Sequence, residues 1–374
     1  SKIMNNKNFQ TYFDYGSSKI RAVVFNKNNH NEIFCEDNKL SSDCLNLDLE
    51  IQKIISSMEK NTNEYIDAIN LMIDSSYMLT IAISVFKKLD GSRLKKEDIQ
   101  FLIQEAKQQI LRNYPNQNIL HIIVKNYSID GDNFIFLPHN KICSKLSLSI
   151  TFICLPKNII EKTKKLFSKL GISIDQFLCS SYAKASNYKN NFENSESILF
   201  VDMGFNRTSI TFYEKNEFNF FEVLPIGGNH ITKDISKILN IDHAKAEKIK
   251  FNFDKKEIFS NTTQASLELI QKIILSRTEE ILELSINFIK SSTDFIDKSK
   301  IKLVLMGEGS KILDNKFQDK ISFFKEINLL EESTFEICRS GLRLNNGSNK
   351  QEVVLVPRIL KKQGFFEKLF HFFN

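Results

Sequence analysis

The sequence predicts an α/β protein built from two duplicated β-rich halves, with a compact α+β subdomain inserted into the first. Three observations carry this. A strand that ends in Asp-x-Gly and turns into a second strand occurs twice, at "FDYGSSKI" (Asp14, Gly16) and at "VDMGFNRTSI" (Asp202, Gly204). Each hairpin is followed by a third strand, "NEIFCE" in the first half and "FNFFEVLP" in the second. Between them, "LKKEDIQFLIQEAKQQILRNY" sets Ile99, Leu102, Ile103, Ala106, Ile110 and Leu111 on one helical face, among strands of its own.

The elements follow in order. Strands "FQTYFDYG", "KIRAVVF" and "NEIFCE" open the chain, then a helix near 49–59 and a buried strand "AINLMI". Residues 77–157 form the insertion, with strands "TIAISVF", "ILHIIVKNYSIDGDNF" and "KLSLSITFICL" around the helix. The helix "NIIEKTKKLFSKLG" stops at Gly171, a C′ glycine. Strand "SIDQFLC", helix "SSYAKASNY" and a polar linker at 187–197 complete the first half. The second run of strands, helices across 228–291, strand "KIKLVLMG" and a helix near 332–344 make the second. The predicted division is 1–76 with 158–190, the insertion 77–157, the second domain 191–344, a linker 345–357 with a flexible "NNGSNKQ" at 345–351, and a terminal helix 358–374.

Composition narrows the function. The net charge of +6 comes from 51 basic and 45 acidic residues, with no basic stripe interleaved with aromatics, so nucleic acid is not an expected partner. Cys35, Cys44, Cys143, Cys154, Cys179 and Cys338 form no CxxC pair and fit no zinc template, which points to buried free thiols in a reducing compartment. No signal peptide and no apolar run of about 18 residues is found, so a cytosolic chain with no membrane span is expected.

Four turns carry candidate chemistry. Asp14, Gly16, Ser17, Ser18 and Lys19 form the first, and Asp202, Gly204, Phe205, Asn206, Arg207 and Thr208 the second. Such turns aim backbone amides and hydroxyls at phosphate oxygens, and aspartates at strand ends can hold Mg²⁺ through its waters. Singly, an Asp-x-Gly turn is an ordinary hairpin; the pairing suggests a phosphate grip between two domains. In "VLMGEGSKI", Gly307, Gly309 and Ser310 permit close approach by a base or ribose. In "LPIGGNHITKDISKILNIDHAKAEKIK", Gly227 and Gly228 form a tight turn, Asn229 can cap the next helix, and Glu247 and Lys250 share a helix face. That last pair suits a ribose and its nucleotide, or is simply a surface ion pair.

At the other end, "GFFEKLFHFFN" places Phe365, Phe366, Leu369, Phe370, Phe372 and Phe373 within an arc of about 160° on a helix, with Glu367, Lys368, His371 and Asn374 opposite. Arg358, Lys361 and Lys362 lie just upstream. This helix suits the plane of an anionic membrane surface, with Lys368 at the headgroups; docking on the protein's own core is the other reading.

These motifs resemble the FtsA family, the actin-like bacterial cell-division proteins. "DYGSSKI" and "VDMGFNRTSI" are similar to its two phosphate turns, "VLMGEGSKI" to its adenosine turn, and "LPIGGNHITKDISKIL…AEKIK", "IILSRTEEILEL" and "ILHIIVKNYSIDG" to further family segments. The resemblance covers nearly the whole chain and implies the actin/Hsp70-like ATPase fold, with ATP and Mg²⁺ in a cleft between the duplicated domains. It also implies self-association into protofilaments, tethering of FtsZ filaments to the cytoplasmic face of the inner membrane at the division site, and recruitment of later division proteins. Phe205 and Asn206 stand where the family carries glycines in the second phosphate turn, and Arg207 and Ser209 where small or acidic residues are usual. Weak or absent hydrolysis follows from that, and no catalytic base is assigned. The same fold class leaves a pilus-assembly scaffold, a sugar-kinase-like phosphotransferase and a chaperone-like ATPase as alternatives.

Overall fold

The computed structural model describes residues 7–40, 46–138, 140–192, 196–252, 264–293, 297–313, 315–319, 321 and 324–353. Residues 358–374, for which the sequence predicts a membrane helix, lie outside these.

Each Asp-x-Gly hairpin seeds a sheet. In the first, β1 (Phe9–Tyr15) pairs antiparallel with β2 (Lys19–Asn26), and β2 with β3 (Glu32–Lys39). After helix α1 (Leu47–Thr62), β4 (Ala68–Ile73) returns parallel to β1. The third sheet follows, from β5 (Leu79–Arg93), helix α2 (Lys96–Asn113), β6 (Gln117–Ile129), β7 (Asp132–Phe134) and β8 (Ile142–Pro156), in the order β5-β8-β6-β7. Helix α3 (Lys157–Ser168), strand β9 (Ser173–Cys179) and helix α4 (Ser180–Tyr188) then return to the first sheet, whose order is β3-β2-β1-β4-β9.

The second half repeats the plan. Strands β10 (Ser197–Met203), β11 (Thr208–Glu214) and β12 (Glu217–Leu224) form the hairpins. Helices α5 (Gly228–Leu239), α6 (His243–Asn252) and α7 (Gln264–Ser292) precede β13 (Ile301–Met306), which lies parallel to β10. The short α8 (Asn315–Gln318), strand β14 (Glu326–Leu329) and α9 (Thr334–Asn345) close the half. The order β12-β11-β10-β13-β14 is the counterpart of the first sheet, strand for strand.

Sheet faces explain the packing. Every residue of β10 is buried: Leu199, Val201 and Met203 enter the core shared with α5 and α7, while Ile198 and Phe200 enter the core of the first half. A strand covered on both faces loses the alternation of an exposed one. The first core also takes Tyr182, Ala183 and Ala185 of α4 and Ile337, Cys338 and Leu342 of α9, so these helices join the two sheets. All nine residues of α4 are buried, polar ones included. The third sheet packs on α2 around Leu102, Ala106, Ile122 and Phe152, a core of its own.

Cys35, expected as a buried thiol, is exposed, and Leu111 lies outside the buried face of α2. A further expectation fails at the end of the second half. The 345–351 stretch predicted as a flexible connector is tied down over its last residues. Asn349 and Gln351 are buried, the Val124 amide donates to the Gln351 carbonyl at 2.8 Å, and the Val353 amide donates to the Ile122 carbonyl at 2.9 Å. Strand β7 pairs only with the last residues of β6, leaving the earlier part of that edge open for 351–353 to pair with. Glu352 is locked from both sides. Its Oε1 lies 2.6 Å from Nδ1 of the buried His121, and its Oε2 accepts from the Tyr182 hydroxyl at 3.0 Å. Polar composition marks such a stretch as a loop but says nothing of an edge waiting elsewhere in the chain.

Candidate functional site

The two turns are built alike. Gly16 N donates to the Lys19 carbonyl at 3.0 Å, and Gly204 N donates to the Arg207 carbonyl at 2.8 Å. Each closes a hairpin whose preceding Asp sits at a strand end. The duplicated sheets bring both turns to one cleft of about 220 Å³, lined by Asp14, Gly16, Ser17, Ser18 and Lys19 from one side and Asp202, Gly204, Phe205, Asn206 and Arg207 from the other, with Gly307 and Glu308 beside them. Gly307 holds φ +87°, and a Cβ there would collide with the Asp202 carboxylate and the Met203 carbonyl, so glycine is required by conformation and by space.

The chain matches the family model "Cell division protein FtsA" over residues 199–316 and the model "SHS2 domain inserted in FTSA" over 79–154. It is 25% identical over 362 residues to the cell division protein FtsA of Buchnera aphidicola subsp. Acyrthosiphon pisum, covering 88% of this chain and 86% of that protein. The chain belongs to the FtsA family. The FtsA of Buchnera aphidicola subsp. Baizongia pistaciae is 27% identical over 265 residues, 67% of this chain and 62% of that one. Among solved structures, the "PilM-PilN type IV pilus biogenesis complex" superposes with a TM-score of 0.61 at 13% identity, covering 88% of this chain and 89% of that one. At that identity the likeness is one of fold, the actin-like ATPase fold that the FtsA resemblance implies.

In this FtsA-family chain several predicted site residues fall away from the cleft. Thr208 is fully buried and donates to the Ile226 carbonyl at 2.6 Å, and Ser310 is fully buried with its hydroxyl on the Met306 carbonyl at 2.7 Å. Gly309 packs against Met203 and Gly204. Lys250 is 1% exposed, and its Nζ donates to the Gly228 carbonyl (3.0 Å), Thr232 Oγ1 (2.8 Å) and Glu247 Oε2 (2.9 Å), which accounts for the three hydrogens of an ammonium. Glu247 also accepts from Thr232. The pair thus pins α6 to the start of α5. Asn229 is not the cap: α5 begins at Gly228 with Gly227 before it, and Asn229 instead bonds Asn206 and His243. The Gly228 and Asn229 amides donate to the carbonyls of Gly204 and Phe205, so the helix start braces the second turn. A Cβ on Gly227 would come within 2.6 Å of the Gly204 carbonyl oxygen, so space requires glycine at 227.

Residues not picked out from sequence complete the cleft. Arg21 reaches Asp14 at 2.9 Å and Glu308 at 2.8 Å, bridging the halves. Arg207 reaches Asp74 at 2.6 Å, crossing in the other direction. Lys184, at the centre of α4, lies 2.9 Å from Asp202 and 3.0 Å from Glu332. Ser180 donates to Asp14 and Ser181 to Asp202, at 2.6 and 2.7 Å, so consecutive hydroxyls of α4 hold the matching aspartates of both halves. Burial opposes the charge on Asp202, but Lys184 and then Arg207 hold its carboxyl well below the usual carboxylate range. Burial raises Asp74, with Arg207 acting against it. One sequence signal was present: Arg21 lies opposite Asp14 in the β1–β2 register, an opposite-charge cross-strand pair. Lys184 gave no signal, because a helix buried on every side carries no amphipathic stripe.

The expected Mg²⁺ position does not fit. Both oxygens of Asp14 and of Asp202 face side-chain donors or cations, and no group of three or more His, Cys, Asp or Glu among the described residues is placed to hold a metal ion. Mg²⁺ keeps most of its water shell, and Arg21 beside Asp14 and Lys184 and Arg207 beside Asp202 set fixed positive charge where the hydrated ion would sit.

Proposed function

We propose that this FtsA-family chain is a membrane adaptor of bacterial division, which binds ATP in the interdomain cleft, self-associates into protofilaments and tethers FtsZ filaments to the cytoplasmic face of the inner membrane at the septum. The observation that carries it is the meeting of two matching Asp-x-Gly turns across one cleft, in a chain that matches both the FtsA model and the domain inserted in it. The working division is 1–76 with 158–190 and 191–344 for the two halves, 77–157 for the insertion that contacts later division proteins, and 358–374 for the membrane helix.

ATP acts as an assembly ligand that bridges the halves, not as fuel for substrate chemistry. Ser17, Ser18 and Lys19 on one side and Asn206 and Arg207 on the other are the groups offered to its phosphates, with Gly307 beside them. The terminal helix places Phe365, Phe366, Leu369, Phe370, Phe372 and Phe373 at the acyl boundary and Lys368 at anionic headgroups. One such helix binds weakly; a protofilament carries many, and multivalency raises their joint affinity. No helix among the described residues is long and apolar enough to cross a membrane.

Co-sedimentation with vesicles containing anionic lipid tests the anchor. The intact chain pellets with the vesicles and a chain stopped at Pro357 stays in the supernatant. Equal pelleting of the two would remove the terminal helix from this role.

A further inference from the structure

We propose, on the reading of the cleft as a nucleotide site, that it takes its phosphate-bearing ligand without a divalent cation, the guanidinium of Arg207 and the ammonium of Lys184 holding the ground that a hydrated metal ion would occupy. Five carboxylates line the cleft, and each is already engaged through both oxygens: Glu308 by Arg21 and Lys311, Glu332 by Lys184 and the Gly307 amide, and three aspartates as follows. Asp202 Oδ2 accepts from Ser181 and lies 2.9 Å from Lys184, while its Oδ1 lies 3.5 Å from Arg207. Asp14 Oδ2 accepts from Arg21 and Oδ1 from Ser180. Asp74 Oδ2 accepts from Arg207, and its Oδ1 accepts from the Ser181 amide at 3.2 Å. A dication set among these groups would meet fixed positive charge at contact distance.

Arg207 is also placed to take over the metal's work. A Cβ on Gly204 would lie 3.2 Å from its Cζ and 3.3 Å from its Nε, so the guanidinium rests against the second phosphate turn. A guanidinium pairs with phosphate oxygens through two parallel N–H donors. The bond that closes the turn runs from Gly204 N to the Arg207 carbonyl, and the side chain adds one bond to the strand end before it, from Nη1 to the Asp202 carbonyl at 2.7 Å. An incoming phosphate therefore competes with Asp74 for Arg207 and needs no cation of its own.

Two titrations of the full chain test this: Mn²⁺ alone, followed by electron paramagnetic resonance, and a fluorescent ADP analogue in EDTA and in excess Mg²⁺. The expected results are no Mn²⁺ uptake and a nucleotide affinity that EDTA changes by less than about twofold. Arg207→Gly frees one oxygen each of Asp74 and Asp202, Oδ2 and Oδ1 respectively. It is expected to gain Mn²⁺ binding and, in EDTA, to lose nucleotide affinity by about tenfold or more, while Arg207→Lys stays metal-independent. Stoichiometric Mn²⁺ uptake by the unaltered chain, or a loss of about tenfold in EDTA, would overturn the inference while leaving the nucleotide site standing. Absence of nucleotide binding in both buffers would overturn the nucleotide reading and this inference together. The unaltered chain decides the matter even if a variant fails to fold.

Discussion

Replacing Glu352 with Ala tests whether the segment 349–353 is part of the folded body. His121 is 1% exposed and its Nε2 accepts from the Cys179 amide at 2.8 Å, so the ring proton sits on Nδ1 and is donated to Glu352. Tyr182, fully buried, gives its hydroxyl proton to the other carboxylate oxygen and receives the Asn349 amide at 2.7 Å. Truncation removes two hydrogen bonds to a charged acceptor and leaves two buried donors without one. Bonds to charged groups contribute about 1.5–3 kcal/mol, and an orphaned donor costs about 1–3 kcal/mol. The terms overlap, and the carboxylate keeps some contact with solvent, so about 3 kcal/mol is expected for Glu352→Ala. Glu352→Gln keeps an acceptor oxygen and should cost about 1 kcal/mol. Native-state hydrogen exchange reads the effect at the Val124 amide, whose acceptor is the Gln351 carbonyl. Val124 should lose protection in Glu352→Ala, with a matching fall in the urea midpoint. A midpoint shift equivalent to less than about 0.5 kcal/mol with Val124 protection unchanged would refute the docking.

Lys184→Met leaves Glu332 buried without its cation and Asp202 with Arg207 alone at 3.5 Å, and should destabilise by about 3 kcal/mol in urea unfolding, whereas adding Asp202→Asn should recover part of the loss. Gly307→Ala must adopt φ near +87° against Asp202 and should cost at least about 2 kcal/mol, read as a lowered melting temperature. Burial pushes the Glu222 carboxyl up to about 7. The folded state thus keeps a proton that the unfolded chain loses near 4.5, and stability is full below that value and falls as pH rises through about 7. Glu222→Gln, neutral throughout, should therefore gain about 1 kcal/mol at pH about 8 after allowance for solvent screening, and nothing at pH about 4.

The sequence by itself determined what is local. Each Asp-x-Gly turn forces its two strands into a hairpin, the stripe from Ile99 to Ile110 sets the buried face of α2, and repetition of the hairpin announces the duplication. Periodicity and turn chemistry act over a few residues and are therefore written into short stretches. Tertiary structure decided which charges meet. Arg21 and Glu308 are 287 residues apart in the chain, and Lys184 joins carboxylates from β10 and from the loop before α9, on a helix with no polar face to mark it. The same holds for Lys250, whose spacing from Glu247 suited a ligand until α5 supplied the Gly228 carbonyl and the Thr232 hydroxyl. It holds for Glu352, which lies in a stretch whose composition suits a loop. A charged group's role depends on which distant partner reaches it as water is excluded, and that is settled only when the sheets close on each other.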